Sequence, residues 1–338
     1  MPDLQTNDLE EVRRRLGLFF AQNQAMVDRY IQLHGTKINM KAIQDVRDEI
    51  ETMPNLAPIT QELASTPNYA GLDLPYFTVE VDCPCCSQKG IPHRELRASA
   101  MAQKNDPFLA PVYTPLAKFQ PLNFLMVNVT VCPRCLLASP DKKDFIQFNR
   151  TTRQTVPSQL SSGIIAEIQD SIAERQEMLE RAHIKPEFQL CPRSSDVAIL
   201  SYQLADHRAR IEAESKHQFS IFKRANYHTR IALLQRQAGI DDTATLQKAL
   251  TLFKEAYYRT DFPNANAEFQ SCFLIFSIFL RFNQLKEARE YISVMEQSKK
   301  DVEARKDPAA VQALNTWLGM TKARWDDRDN PRLWETPS

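Results

Sequence analysis

The sequence predicts a mainly α-helical protein with a small β module set between helical flanks, and three observations point there. Of the 20 prolines, 13 fall between positions 54 and 157, so the middle is irregular while the flanks keep the backbone donors that a helix needs. Only 7 glycines occur in 338 residues, which leaves little material for phosphate-cradling loops. Helix-period apolar spacing fills both flanks, whereas two short runs in the middle read as strands.

In the N-terminal segment Leu9, Val12, Leu16, Phe19, Asn23, Met26, Tyr30 and Leu33 recur at three- and four-residue steps, one face of a helix of about 25 residues. Gly35 ends it, and Ile38, Ile43, Val46 and Ile50 continue a second, shorter helix, so residues 1–60 are expected to form an acidic helical hairpin. Phe20, Val27 and Ile31 widen the apolar face, which favours packing onto the rest of the chain; dimerisation through that face, with Asn23 at a core position, is the alternative.

Residues 61–158 are the expected β module. Runs 76–81 and 124–131 each lead into a cysteine pair, and in the second Leu125, Val127, Val129 and Val131 alternate with Met126, Asn128, Thr130 and Cys132. Residues 159–328 then read as six helices with breaks near Pro186 and Pro192, Gly239, Pro263, Asn283 and Pro308, followed by a tail over 329–338. Ile164, Ile165, Ile168, Ile172 and Leu179 face the first helix, with Ser161 or Ser162 as its cap. Later helices come in pairs of about 35 to 40 residues, and the small and aromatic residues around Ala249, Phe253, Ala256, Ala288 and Tyr291 have the spacing of tetratricopeptide-like stacks. The run 273–280 is apolar nearly all round, as in an inner helix covered on both sides.

Lysine plus arginine (42) cancels aspartate plus glutamate (42), but not locally. Residues 1–82 hold 7 basic and 13 acidic side chains and residues 83–153 hold 10 and 4, so an acidic arm precedes a basic middle. No stretch approaches the roughly 20 apolar residues of a membrane span, and the start of the chain lacks the basic residues and apolar run of a secretory signal. A cytoplasmic address is expected, and in that reducing setting paired cysteines read as metal ligands rather than disulfides.

Cys83-Pro-Cys-Cys86 and Cys132-Pro-Arg-Cys135 each place two thiolates on one tight turn. Together Cys83, Cys86, Cys132 and Cys135 supply a complete tetrahedral set for one structural zinc ion, with no open position for a catalytic water. Cys85 is a second candidate for the place of Cys86, and its other expected role is an outward or neighbouring thiol. His93 is another candidate ligand and otherwise a surface histidine. Cys191 and Cys272 read as structural. Asp106, Asp141 and Asp144 read as solvated or capping acids, and His207, His217 and His228 as structural, because their ten- and eleven-residue steps share a helix face only in part.

The stretch Val79-Glu-Val-Asp-Cys-Pro-Cys-Cys86, then Arg94-Glu-Leu-Arg97, Asn105-Asp106, Pro121-Leu-Asn-Phe124 and Val131-Cys-Pro-Arg-Cys-Leu-Leu-Ala138 resembles the bacterial family labelled Domain of Unknown Function 2225. Ala198-Ile-Leu-Ser-Tyr-Gln-Leu-Ala205 and Phe282-Asn-Gln-Leu-Lys-Glu-Ala288 look like its C-terminal half. The resemblance runs over roughly residues 75 to 325 and implies a zinc-ribbon-like module joined to tetratricopeptide-like helices, with no established reaction. The chain departs from the family's pattern at Ser87 and Leu136, where glycine often follows the knuckles, so distorted turns or a weaker metal site are expected.

No nucleotide-loop, metalloprotease, nucleophile-elbow or dinucleotide motif occurs, so an enzyme is not expected. The leading function is a zinc-stabilised interaction scaffold whose helical stack presents a groove to a protein or peptide partner. The alternative is nucleic-acid binding by the basic module through Lys89, Arg94, Arg97, Lys104, Arg134, Lys142, Lys143, Arg150 and Arg153, with Phe119, Phe145 and Phe148 for stacking.

Overall fold

The structure, a computed structural model, describes residues 72–149, 151–183, 187–215, 219–259, 262–304 and 307–335. The helical hairpin expected over 1–60, and the dimerisation through it, lie outside the described residues.

Four antiparallel strands make the main sheet in the order β2-β1-β7-β8: β1 (Tyr76–Asp82), β2 (Ile91–Leu96), β7 (Ile146–Asn149) and β8 (Gln154–Val156). Two further pairs are inserted, β3 (Met101–Asn105) with β4 (Pro111–Pro115), and β5 (Thr130–Val131) with β6 (Ala138–Ser139). Eight α-helices follow among the described residues: α1 (Ser162–Asp170), α2 (Ile172–Ala182), α3 (Ser195–Glu214), α4 (Phe219–Gln237), α5 (Thr243–Arg259), α6 (Ala265–Arg281), α7 (Leu285–Ala304) and α8 (Pro308–Asp326).

Six helices were expected in this region, and the two extra ones come from breaks that neither proline nor glycine marks. At the first, the Ser171 hydroxyl donates to the carbonyls of Glu167 (2.8 Å) and Ile168 (3.3 Å), competing with the helix's own ladder. At the second, α3 closes on the Ser215 N–H. The remaining starts are capped as their sequences allow: Ser161 for α1, Ser194 for α3, Asn264 for α6, and Asp307 with Pro308 in the first turn for α8.

Run 124–131 is not one strand. Asn123 accepts the Leu125 N–H and folds Phe124–Met126 into a 3₁₀ turn, and only Thr130–Val131 pairs, with Ala138–Ser139. Leu125, Val127, Val129 and Val131 are nonetheless all buried, so their alternation recorded burial and not a ladder.

The β module and the helices share their cores. Ala110, Val112, Leu125, Val129, Val131, Leu136 and Ala138 pack with α3 and α4 residues such as Leu200, Tyr202, Leu204 and Ile231. Helix α6 is buried from Phe273 through Leu280 and touches α5, α7 and α8.

A second weld is the tip of the β3–β4 hairpin. Asp106, expected to be solvated, is buried: its Oδ1 accepts the N–H groups of Phe108 (2.9 Å) and Ala110 (2.7 Å), and its Oδ2 accepts Arg236 Nη2 (2.8 Å). That turn drives Phe108 into the core formed with α4 to α8, where it stacks on Trp334 at 5.8 Å beneath the Arg236 guanidinium at 5.2 Å. Arg324 closes the far side, donating to the Pro107 carbonyl and to Ser277 Oγ. Phe108→Ala should therefore cost about 3 to 5 kcal/mol, read as a lower denaturation midpoint with unchanged metal content; a loss under about 1 kcal/mol would show that the tip merely rests on the helices.

Candidate metal centre

The two knuckles are the tips of two hairpins. Cys83 begins the turn between β1 and β2, and Cys132 the turn between β5 and β6. Their backbones match bond for bond. In the first, Ser87 N–H donates to Cys83 O (3.1 Å) and Cys83 N–H to Gln88 O (2.8 Å); in the second, Leu136 N–H donates to Cys132 O (3.0 Å) and Cys132 N–H to Leu137 O (2.8 Å). Each turn needs a left-handed residue just after its second cysteine, supplied by Ser87 (φ 59°) and Leu136 (φ 61°). Each turn thus holds a non-glycine residue in the left-handed region, and the expected distortion is not seen, since the two turns keep the same backbone bonds.

Four sulfurs meet between the tips. Those of Cys83, Cys86, Cys132 and Cys135 all lie within 4.8 Å of one another, with Cys83 to Cys135 at 3.4 Å and Cys86 to Cys132 at 3.5 Å. A disulfide needs about 2.05 Å, so all four are free thiols. A tetrahedral ion with bonds of about 2.3 Å needs sulfurs about 3.8 Å apart, so the cluster matches a four-thiolate metal ion in size and donor type. Cys83, Cys132 and Cys135 are buried and Cys86 is half-buried. Contacts with Cys132 and Cys135, more than burial, push the Cys83 thiol far up, while hydrogen bonds from Cys132 and Cys83 hold Cys135 down.

The surroundings fix the turns. Val81, Ile91, Leu137, Phe145, Leu160, Ile164, Ile168 and Ile211 wrap the cysteines in one apolar cluster. Gln169 donates to the Cys85 carbonyl, Arg134 to the Cys86 carbonyl at 3.4 Å, and Arg175 to the Cys135 carbonyl at 2.9 Å.

Cys85 is buried beside the four sulfurs and is not one of them. His93 is neither a ligand nor on the surface: it is buried, with Nδ1 at 2.8 Å from Thr130 Oγ1, a pairing that ties β2 to β5, and burial pushes its pKa down. Cys191 accepts the Tyr76 hydroxyl at 2.9 Å, and Cys272 is buried in α6.

Asp141 caps the 3₁₀ turn Lys142–Asp144, but Asp144 is buried, against Ser139 Oγ (2.5 Å) and Arg208 (2.9 Å). His207 pairs with Glu174 (2.9 Å) and His228 with Asp206 (3.3 Å); His217 lies outside the described residues. Among the groups offered for nucleic-acid binding, Arg94, Phe119 and Phe145 are buried, Lys142 pairs with Glu95, and Arg150 lies outside the described residues, while Phe148 is 60% exposed. Sequence reading missed Gln169, Arg175 and Arg208. All three look like ordinary polar helix positions, and no local spacing marks them.

A closed four-cysteine centre beneath a helical stack is the class that fold and site define. The family model described as "Uncharacterized protein conserved in bacteria (DUF2225)" matches residues 76–315, and the chain belongs to that family. No curated protein and no solved structure matches it.

The left-handed positions give an asymmetric prediction. Ser87 is exposed, so Ser87→Gly should relieve strain and stabilise the metal-loaded protein by about 1 kcal/mol or less. Leu136 is buried in the core shared with α3, so Leu136→Gly should destabilise by about 1 to 3 kcal/mol despite the same relief. Thermal melts of the two variants check this, and equal effects would refute it.

Proposed function

We propose that the chain is a non-enzymatic, zinc-stabilised protein-interaction scaffold that acts in the cytoplasm. One structural zinc is held by Cys83, Cys86, Cys132 and Cys135, and the helices present a groove to a protein or peptide partner. The observation that carries this reading is the closed cluster of four mutually adjacent sulfurs: four thiolates fill a tetrahedron and leave no place for a substrate or an activated water. The acids nearest the module support it as well, since Asp106 and Asp144 are spent on holding helices to strands.

The contacts of α6 with α5, α7 and α8 support reading the helices as a tetratricopeptide-like stack. A groove of about 790 Å³ between α7 and the end of α8 is lined by Leu285, Val294 and Trp325, with Lys286, Arg289 and Arg328 facing the single carboxylate of Glu290. Those apolar anchors with a basic rim suit a segment that carries apolar and acidic residues. The nucleic-acid alternative draws little support, because several of its members are buried. Among the described residues no helix is long and apolar enough to cross a membrane.

Purified protein should carry one zinc per chain by elemental analysis. Cys132→Ser should abolish it and lower the melting temperature of the whole unit, because the knuckle shares its core with α1 and α3. A preparation that holds no zinc and gives no response to added zinc would end the metal reading. For the scaffold, immobilised wild type and a Leu285→Glu/Arg289→Glu variant are compared for proteins captured from a bacterial lysate. Partners lost with the variant, at unchanged helicity, are expected; identical captured sets, or steeply salt-dependent capture of single-stranded DNA instead, would overturn it.

A further inference from the structure

A dication bound by four thiolates carries a net charge of −2, and here the sulfurs are largely buried. Arg175, on α2, lies beside them. Its side chain is 1% exposed, and its donors reach Cys135 O (Nε, 2.9 Å), Ser171 Oγ (Nη1, 2.8 Å) and Ile168 O (Nη2, 2.5 Å). All three acceptors are neutral. Among the described residues no carboxylate pairs with Arg175: the adjacent Glu174 turns instead to His207 (2.9 Å) and Arg210 (2.7 Å). A guanidinium buried this deeply without a paired carboxylate is costly; its bond to the Cys135 carbonyl sets it against the cysteine cluster, and Cys135 acts on its charge ahead of Glu174.

We propose that Arg175 is the counter-cation of the four-cysteine centre, offsetting part of the charge of the metal-loaded site and holding the second knuckle to the break between α1 and α2. The inference rests on the reading of the four cysteines as metal ligands. Its geometry reaches further than the charge. Arg175 also donates to the Ile168 carbonyl in the last turn of α1, and Gln169, in the same turn, donates to Cys85 O. Both knuckles are thus gripped from one helix junction, and the state of the metal centre is felt there.

The test compares Arg175→Met, Arg175→Gln and Arg175→Lys in the full chain, reading zinc retention against a chromophoric chelator and melting temperature with zinc and after removal of zinc by EDTA. Loss of the charge should weaken zinc retention roughly tenfold or more, with Arg175→Lys close to wild type and the Gln and Met variants alike. After zinc removal the site no longer carries the charge of the loaded centre, so the melting-temperature deficit of Arg175→Met against wild type should shrink or vanish. A Lys variant that loses zinc as readily as Met, or equal destabilisation with and without zinc, assigns Arg175 a purely structural role and overturns the inference. Should the Met variant not fold, Gln against Lys carries the same contrast. Wild type without zinc would instead sink the metal reading, a separate outcome.

Discussion

Four sulfurs within 4.8 Å of one another are the constraint on which the rest of this structure hangs. Two thiolates about 4 Å apart at an effective dielectric of 20 repel by about 4 kcal/mol, and four of them make six such pairs, so the cluster holds together only with protons or a cation in its midst. That requirement pins the β1–β2 tip to the β5–β6 tip, although 45 residues separate Cys86 from Cys132. Everything between, including the β3–β4 hairpin, becomes a loop closed at both ends, and its ordering is cheaper for that closure. The hairpin's own tip then reaches the helices through Phe108.

Buried charge does the remaining joining. Arg208 on α3 sits between Asp144 of the module and Glu212 of its own helix, and Glu212 is further held by Ser220 at 2.8 Å. Arg193 donates to Val129 O at 2.8 Å and Arg94 to Gln189 O at 2.7 Å, so each side of the junction sends an arginine into the other's backbone. Burial pulls Arg193 down to about 9 and pushes Asp144 up. Such contacts add little net stability over an apolar core, but they penalise every packing in which the partner is misplaced. They set the register of strands on helices.

The parts of this arrangement that were legible in sequence are those whose information is local. The two Cys-Pro-x-Cys turns, a serine cap at Ser161 or Ser162, the break near Pro308 and the apolar run of α6 each carry their own spacing and could be read without knowing the fold. Asp106, Asp144, Arg175 and His93 could not, since the meaning of each lies in a residue between 37 and 130 positions away (Thr130 from His93 and Arg236 from Asp106 mark those limits). The run 124–131 misled for a related reason. Alternating apolar residues are the signal of a strand, yet here they line a 3₁₀ turn and a short extended segment in which Phe124, Thr130 and Cys132 are buried as well. The break at Ser171 was hidden because serine is an ordinary helix residue until its hydroxyl turns back on the ladder, and the one at Ser215 because its hydroxyl reaches Glu167, 48 positions away.

The knuckles are twins in backbone and unequal in setting. Cys132, Cys135, Leu136, Leu137 and Ala138 are all buried, and the strands on either side of them pack against α3. In the first knuckle Cys86 is half-buried, and Ser87 and Lys89 face water. A left-handed leucine at position 136 is tolerable because its side chain gains burial in the shared core, roughly 2 kcal/mol for a full leucine, against a backbone strain of about 1 to 2 kcal/mol. Ser87 has the same strain and no such offset. The second knuckle therefore packs on α3 through Leu136 and Ala138 in addition to the cluster around the sulfurs, whereas the first has only that cluster, which Cys83 and Cys85 share with α1, and two side-chain grips at its carbonyls. Helix packing thus holds Cys132 and Cys135 in the more deeply buried half of the cluster, and the half that water reaches is the one that carries Cys86 and Ser87.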